Sequence, residues 1–320
     1  MSVNLPFTVI GGYLGAGKTT LLNHLLSNAD GLRLAVLVND FGSVNIDAGL
    51  IRSHHGDTIN LDNGCMCCSL VNGFASAIGR IRDRSHDFDH VVIEASGVAD
   101  PGTIARYGQM YELPLDGVVV VIDAEQIRRL STDKYVGDTV LYQLAQADLL
   151  VLNKIDLVSE ETRSSLRTWL SGHSPGTPII ETVKSELPLA VLFSARSVRS
   201  PLEAQRHKPH DAEHARCYET WTVERTGAVS QPAIERFATN LGSDIYRAKG
   251  FVCLEHDPQR RYVFQQVGHR WTLEPGDPIS EADRRTLLVV IGRKGATNRS
   301  SLERLLESED EPLSKRRLPP

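Results

Sequence analysis

The sequence predicts an α/β protein whose larger part is a three-layer domain with a mostly parallel sheet. Two observations lead to this fold class. Nearly unbroken apolar runs alternate with helical patterns through residues 1–196, which is typical of strands buried on both faces of a parallel sheet. A glycine-rich loop follows the first run and leads into a leucine-rich helical pattern. The predicted strands are Phe7–Gly11, Leu34–Val38, Val91–Glu94, Val118–Asp123 and Leu149–Asn153.

A smaller α+β domain is predicted after a polar linker. We assign 1–196 to the first domain, 197–216 to the linker, in which Pro201 and Pro209 interrupt regular structure, and 217–308 to the second domain. Residues 309–320 contain too few apolar side chains to pack, so we expect a disordered tail. The second domain should contain strands Thr220–Val229, Ile245–Glu255, Tyr262–Leu273 and Thr286–Ile291, and helices Gln231–Leu241 and Asn298–Glu307.

The composition narrows the classes of partner. The 320 residues carry a formal net charge of -5, with 40 acidic and 35 basic side chains, which gives no electrostatic footprint for nucleic acid or an anionic membrane. No apolar run approaches the roughly 18 residues that span a bilayer, and residues 1–6 do not resemble a secretion signal. We therefore expect a cytoplasmic protein without nucleic-acid or membrane partners, in a compartment where clustered cysteines bind metal or do redox chemistry.

A complete phosphate-binding loop follows the first predicted strand. Its glycines allow backbone N–H groups to surround phosphates, and the helix that it opens adds positive potential. Lys18, expected in a solvent-facing part of the loop, should reach the β- and γ-phosphates, and the Thr19 hydroxyl should bind Mg²⁺. The predicted nucleotide-binding residues here are Gly12, Gly15, Ala16, Gly17, Lys18, Thr19 and Thr20.

The run Asn153-Lys154-Ile155-Asp156 ends another predicted strand, where ligands of open α/β sheets bind. It resembles the base-reading motif of GTPases. The Asp156 carboxylate can accept hydrogen bonds from both the N1–H and the exocyclic amine of guanine, a donor pair that adenine lacks. The stem of Lys154 should pack along the base. The alternative is an exposed turn at a strand end.

Glu94 ends the apolar strand Val91–Glu94, and Gly97 follows three residues later. This is the place of the acidic group that holds Mg²⁺ through water or orients the attacking water, and of the backbone amide that senses the γ-phosphate. Lys18 and Glu94 are therefore the candidate catalytic residues, and Thr19 and Glu94 the candidate magnesium ligands. The alternative for Glu94 is a solvated carboxylate at a strand end.

Three of the five cysteines, Cys65, Cys67 and Cys68, lie within four positions of one another. Their thiolates can converge on one soft or borderline ion, and three thiolates leave a fourth coordination position open, which suits an ion that is passed on. Zinc is the expected ion and cobalt the second choice. The alternatives are a redox cluster or buried apolar cysteines. We interpret Cys217 and Cys253 as structural.

In this order the motifs resemble those of the CobW family of metallochaperone GTPases, relatives of the nickel-insertion GTPases UreG and HypB. The resemblance covers nearly the whole chain. It implies a P-loop domain of the SIMIBI class, a CobW C-terminal domain, and metal bound by the three clustered cysteines in the GTP state. The matching segments are GGYLGAGKTTLLNHLL, VNDFGSVNID, NGCMCCSL, VVIEASGVADP, VVVVIDA, QADLLVLNKIDLV, YRAKGFVCLE and LLVVIGRK. In place of the family's usual Asn-Glu-Phe-Gly-Glu, this chain has Asp40 and Ser43 where the two glutamates stand.

The hypothesis from the sequence is a GTPase that binds GTP, Mg²⁺ and Zn²⁺ or Co²⁺, and delivers the transition metal to a metalloprotein client. Asp40 and the linker residues His207, His210 and His214 are open candidates for further metal ligands, since a helix would place the three histidines on one face. A homo-oligomer also remains open. The alternative functions are a GTPase signalling module with a structural zinc site and a P-loop small-molecule kinase or ligase.

Overall fold

The computed structural model describes residues 5–29, 32–38, 58–60, 69–193, 218–281 and 284–307 of the chain. The chain divides into two units, Met1–Arg199 and Ser200–Pro320. Each unit has its own sheet and its own hydrophobic core. Among the described helices, none has the length and apolar character needed to cross a membrane.

The described part of the first unit contains a seven-stranded sheet in which every recorded strand pair is parallel. The strand order is β3-β2-β4-β1-β5-β6-β7, so the first strand lies in the middle of the sheet. All seven strands therefore end at the same edge. Their bounds are β1 Phe7–Gly11, β2 Leu34–Val38, β3 Thr58–Asn60, β4 His90–Glu94, β5 Leu115–Asp123, β6 Leu149–Asn153 and β7 Ile179–Glu181.

The central strands are buried on both faces, as their continuous apolar runs predict. In β5, Val118 and Val120 belong to the core on one face, whereas Val119 and Val121 point to the opposite face, and all four are about 1% exposed. Burial of one such side chain contributes about 1.5–3 kcal/mol. Helices complete the layers: α1 Lys18–Ser27, α2 Ser69–Asp83, α3 Pro101–Met110, α4 Ile127–Ser131, α5 Gly137–Ala145, α6 Glu160–His173 and α7 Leu189–Leu192.

The helix boundaries follow local chemistry. The Asp100 side chain accepts a hydrogen bond from Gly102 N and begins α3, which has proline at its first position. The Ser159 hydroxyl accepts a hydrogen bond from Thr162 N and begins α6. The first turn of α6 carries two glutamates, whose negative charge interacts favourably with the positive end of the helix dipole.

The second unit contains a five-stranded antiparallel sheet with the order β11-β10-β9-β12-β8 among its described residues. Two helices pack their apolar sides against it, with Ile234 and Phe237 from one helix and Leu302 from the other in the shared core. This architecture confirms the predicted α+β domain. The elements are β8 Tyr218–Thr226, α8 Gln231–Asn240, β9 Ile245–Leu254, β10 Asp257–Val267, β11 Arg270–Pro278, β12 Arg285–Arg293 and α9 Arg299–Leu305.

One predicted strand of the second unit is wrong. The segment Tyr262–Leu273 is not a single strand but the turn region of a hairpin, in which Val267 pairs with Arg270. Gly268 adopts a φ of 54°, a left-handed conformation that favours glycine, and lets the chain reverse between β10 and β11. A glycine inside an alternating apolar run was the available signal.

Two short strands of the parallel sheet, β3 and β7, were not predicted. Each has only three residues, too few for an alternating or continuous apolar pattern to be distinguished from a loop. The predicted linker 197–216 and tail 309–320 lie outside the described residues and stay predictions.

Candidate functional site

A cavity of about 290 Å³ lies at the carboxyl edge of the parallel sheet. It forms there because β1 and β4 are neighbours in parallel register, with Ile10 opposite Glu94, so that the loops that follow the two strands face each other. The cavity is lined by Leu14, Gly15, Gly17, Lys18, Thr19, Thr20, Glu94, Ala95, Ser96 and Gly97. Most of the predicted phosphate-binding residues therefore share one cavity with Glu94 and Gly97.

The glycine-rich loop passes directly into α1 through Gly17. This residue has a φ of 111°, and a Cβ atom on it would lie 2.4 Å from Asn153 Nδ2, so no larger residue fits here. Gly12 and Gly15 also have positive φ, at 128° and 76°. The N-terminus of α1, with its partial positive charge, thus begins at the cavity wall.

Lys18 is more enclosed than the sequence suggested. Its side chain was expected in a solvent-facing part of the loop, but the residue is the first of α1 and only 8% exposed. Lys18 Nζ donates a hydrogen bond to Tyr13 O at 3.3 Å, a carbonyl of the same loop. The ammonium group therefore lies against the phosphate-binding loop, where its charge would add to the backbone N–H groups.

Glu94 is not a solvated carboxylate, since it is 3% exposed. Its Oε1 accepts a hydrogen bond from the Thr19 hydroxyl at 3.1 Å. A hydroxyl and a carboxylate oxygen are the hard ligands that Mg²⁺ prefers, so this pair fits the predicted magnesium site.

Gly97 brings the loop after β4 against the phosphate-binding loop. A Cβ atom on Gly97 would lie 2.8 Å from Leu14 N and 2.5 Å from Leu14 Cδ2, so the two loops touch through backbone. The start of the same loop is fixed by Ala95 N, which donates to Ile10 O at 2.8 Å. The two loops therefore form adjoining walls of the cavity.

The second predicted cluster lies two strands further along the same edge. Asn153 is the last residue of β6 and sits in register with Asp123 of β5. Lys154 has a φ of 62°, and its Nζ contacts Asp123 Oδ2 at 2.6 Å. Asp156 follows in a short 3₁₀ helix, Ile155–Leu157, where it is exposed and available to a ligand.

Asn153 joins this cluster to the phosphate-binding loop. Its Nδ2 donates to Ala16 O at 2.9 Å, while its Oδ1 accepts from Ser185 N at 2.8 Å and from the Thr182 hydroxyl at 3.2 Å. The Ser185 hydroxyl in turn donates to Gly17 O at 3.1 Å. Three segments distant in sequence are thus held by one buried amide.

Sequence reasoning missed three of these supporting residues. Asp123 could have been found, because an acid that ends an apolar strand was the signal used for Glu94. Thr182 and Ser185 carry no such signal, since they lie in a loop after the unpredicted strand β7. Their role depends on the fold that brings them to Asn153.

The predicted transition-metal ligands lie outside the described residues. This holds for the clustered cysteines and for every further candidate: Cys65, Cys67, Cys68, Asp40, His207, His210 and His214. Among the residues that the structure does describe, no group of three or more His, Cys, Asp or Glu side chains could hold a metal ion. Cys253 is buried in the second unit, and burial raises the pKa of its thiol.

Comparison with protein families identifies both units. Residues 6–181 match the CobW/HypB/UreG nucleotide-binding domain, and residues 218–309 match the cobalamin synthesis protein CobW C-terminal domain. The chain belongs to the CobW family. The predicted resemblance is therefore confirmed. The phosphate-binding loop, Glu94, Gly97 and residues 153–156 lie within the CobW nucleotide-binding domain, whereas Thr182 and Ser185 follow its end.

Individual CobW relatives align over most of the chain. The zinc chaperone CobW of Pseudomonas aeruginosa is 31% identical over 91% of this chain and 88% of that protein. The zinc chaperone YjiA of Escherichia coli is 28% identical over 90% of this chain and 94% of that protein. A crystal structure of Zn(II)-bound YjiA GTPase from E. coli, 20% identical, covers 95% of this chain and 99% of that chain with a TM-score of 0.43.

Proposed function

We propose that this CobW protein is a GTP-hydrolysing metallochaperone. It binds zinc, or cobalt, through Cys65, Cys67 and Cys68, and delivers the ion in the cytoplasm to a metalloprotein client in a nucleotide-dependent way. The observation that carries the proposal is the hydrogen bond between Thr19 and Glu94 within the cavity that the phosphate-binding loop lines. The names of the aligned relatives, which are zinc chaperones, support the choice of cargo.

The cavity residues suit phosphoryl transfer from GTP to water. Backbone N–H groups of the glycine-rich loop and the start of α1 bind the phosphates, and Lys18 adds a positive charge close to them. Thr19 and Glu94 would hold Mg²⁺, which when bound neutralises charge on the β- and γ-phosphate oxygens. Glu94, buried beside Thr19, also has the position to orient the attacking water.

The second cluster suits guanine recognition. Asp156 supplies the carboxylate for the N1–H and the amine of the base, and Asn153 ties that segment to the phosphate-binding loop. Asp123 holds the Lys154 ammonium, so the stem of Lys154 is available to pack along the base. An adenine base that covered the Asp156 carboxylate would bury it without its two donors, at a cost of about 1–3 kcal/mol.

The strand register supports coupling between zinc and nucleotide. Val38 lies opposite both Asn60 of β3 and Glu94 of β4, so the chain enters residues 61–68 from the edge that carries the cavity. Two strand spacings separate Asn60 from Glu94, about 10 Å. On the other side of Cys68, α2 begins at Ser69 and leads back to β4.

Helix α2 connects these two regions, and its C-terminal half packs in the core. Ala77, Ile78 and Ile81 are fully buried in the core of the first unit. A packed helix transmits a displacement of one end to the other because its core contacts resist deformation. Rearrangement near Glu94 on hydrolysis would thus change the geometry of the three thiolates.

A pair of variants tests the proposal on reduced, full-length protein. Lys18→Ala should lose GTP binding and hydrolysis while it still binds one zinc ion. Replacement of the three clustered cysteines by serine should abolish tight zinc binding and spare basal hydrolysis, because thiolates serve the metal and the loop serves the phosphates.

Three results would contradict the proposal. Wild-type GTPase activity in Lys18→Ala would contradict the assignment of this cavity as the nucleotide site. Zinc binding of wild-type strength in the triple serine variant would contradict the assignment of the three thiolates as zinc ligands. If the zinc-free triple serine variant does not fold, the alternative of a signalling GTPase with a structural zinc site is favoured.

A further inference from the structure

Gln143, on helix α5, contacts the loop after β4 although it lies far from it in sequence. The side chain is 2% exposed. Its Nε2 donates to Ala99 O at 2.8 Å and to Gly97 O at 3.2 Å. Both acceptors are carbonyl oxygens, so the group that faces them must be the nitrogen of the amide, and its two N–H donors match the two acceptors.

The loop that Gln143 holds is the one expected to meet the terminal phosphate. Its first residue is fixed to β1 by Ala95 N, its end is fixed where Asp100 begins α3, and a hydrogen bond from Ala99 N to Ser96 O forms a turn between them. Gly97 stands within that turn, lines the cavity and touches Leu14. Gln143 therefore restrains the central part of the loop.

The electrostatic consequence concerns the two carbonyl groups. A carbonyl oxygen carries negative partial charge and repels a phosphate, whereas a backbone N–H attracts one. The amide of Gln143 attracts the oxygens of Gly97 and Ala99 towards α5, and so disfavours loop conformations that turn them into the cavity. Helix α5 is itself anchored in the core by Val140 and Leu144, which makes the amide a fixed reference point.

We propose that Gln143 is a positioning residue for recognition of the γ-phosphate. It holds the Gly97–Ala99 segment in the conformation that accepts the terminal phosphate, and thereby sets the preference of the site for GTP over GDP. The inference rests on the proposed function, since it assumes that this cavity binds GTP. It goes further by assigning nucleotide-state discrimination to a helix outside the recognised motifs.

The test compares dissociation constants for GDP and a nonhydrolysable GTP analogue in Gln143→Met, which keeps the length of the side chain but removes both donors. The analogue should bind about tenfold more weakly, while GDP affinity stays within about twofold, because only the analogue contacts the loop. Gln143→Asn, too short to reach both carbonyls, should show a smaller shift in the same direction and serves if Gln143→Met does not fold.

Tyr142→Ala is the matched control, because it truncates a half-exposed side chain next to Gln143 on the same helix and leaves the amide and its core anchor in place. Its ratio of analogue to GDP affinity should equal that of the wild type. An unchanged ratio in folded Gln143→Met or Gln143→Asn, or an equal shift in Tyr142→Ala, would overturn the inference and leave the proposed function standing. Wild-type protein that binds neither nucleotide would overturn both.

Discussion

The Thr19 hydroxyl donates a hydrogen bond to Glu94 Oε1 at 3.1 Å, although the two residues are 75 positions apart. The contact follows from the strand order, because β4 pairs with β1 and the phosphate-binding loop follows β1. In an open parallel sheet the carboxyl ends of such neighbours form the ligand site. The pair therefore connects the best-defined motif of the chain to an acid whose role the sequence left open.

Glu94→Gln should slow GTP hydrolysis about a hundredfold or more and change GTP affinity much less. The amide has the size of the carboxylate but neither its charge nor its capacity to accept a proton. Single-turnover hydrolysis and analogue binding measure the two effects separately. Glu160→Gln, at an exposed position in the first turn of α6, is the control. A wild-type rate of GTP hydrolysis in Glu94→Gln would contradict a catalytic role for Glu94.

Asp156→Asn should weaken GTP binding by about ten- to a hundredfold and reduce the discrimination against ATP. The asparagine amide cannot accept both guanine protons, but its N–H group can donate to the C2 carbonyl of xanthine. Competition binding should thus show a gain in affinity for XTP. If the variant keeps the wild-type preference for GTP, another residue reads the base.

Asn153→Ala should lower thermal stability and weaken GTP and GDP binding together. The substitution leaves Ala16 O and Ser185 N without this partner. Each buried polar group that loses its hydrogen bond lowers the free energy of unfolding by about 1–3 kcal/mol. Thermal unfolding and binding to both nucleotides provide the measurements. This equal loss contrasts with the selective loss expected of Gln143→Met. An unchanged unfolding midpoint would show that the hydrogen bonds of Asn153 do not stabilise the loops.

How much of the molecule the sequence predicts depends on the length of the pattern. The five long parallel strands and helix α1 were predicted because continuous apolar runs and leucine spacing are strong signals. The three-residue strands Thr58–Asn60 and Ile179–Glu181 carry no such signal. The hairpin at Gly268 was missed because apolar alternation on both sides outweighed one glycine.

The same distinction applies to the candidate site. Lys18, Thr19 and Asp156 belong to motifs whose spacing is local, so the sequence alone indicates them. Gln143 instead acts on the Ala99 and Gly97 carbonyls, which are 44 and 46 positions away in the sequence. Ser185 acts on the Gly17 carbonyl, which is 168 positions away. Such contacts depend on strand order and loop packing, which no local pattern encodes.

Cys253 should resist alkylation by iodoacetamide at neutral pH in the folded protein. Burial raises the pKa of this thiol, so the fraction present as the reactive thiolate is low and access is limited. Mass spectrometry of zinc-free and zinc-loaded protein should show Cys65, Cys67 and Cys68 modified only without zinc, and Cys253 unmodified in both. Denaturant should make Cys253 reactive. Rapid native modification of Cys253 would contradict its burial.

The central claim is that nucleotide state controls metal affinity. Zinc dissociation constants should be measured on one preparation of reduced protein, with Mg²⁺ and either GDP or a nonhydrolysable GTP analogue, by competition with a chelating dye at fixed pH. We predict about 5- to 150-fold tighter zinc binding in the GTP-analogue form, and by linkage an equal gain in the preference for the analogue over GDP when zinc is present. Equal zinc dissociation constants in the two forms would contradict the chaperone mechanism, even if GTP hydrolysis and zinc binding both occur.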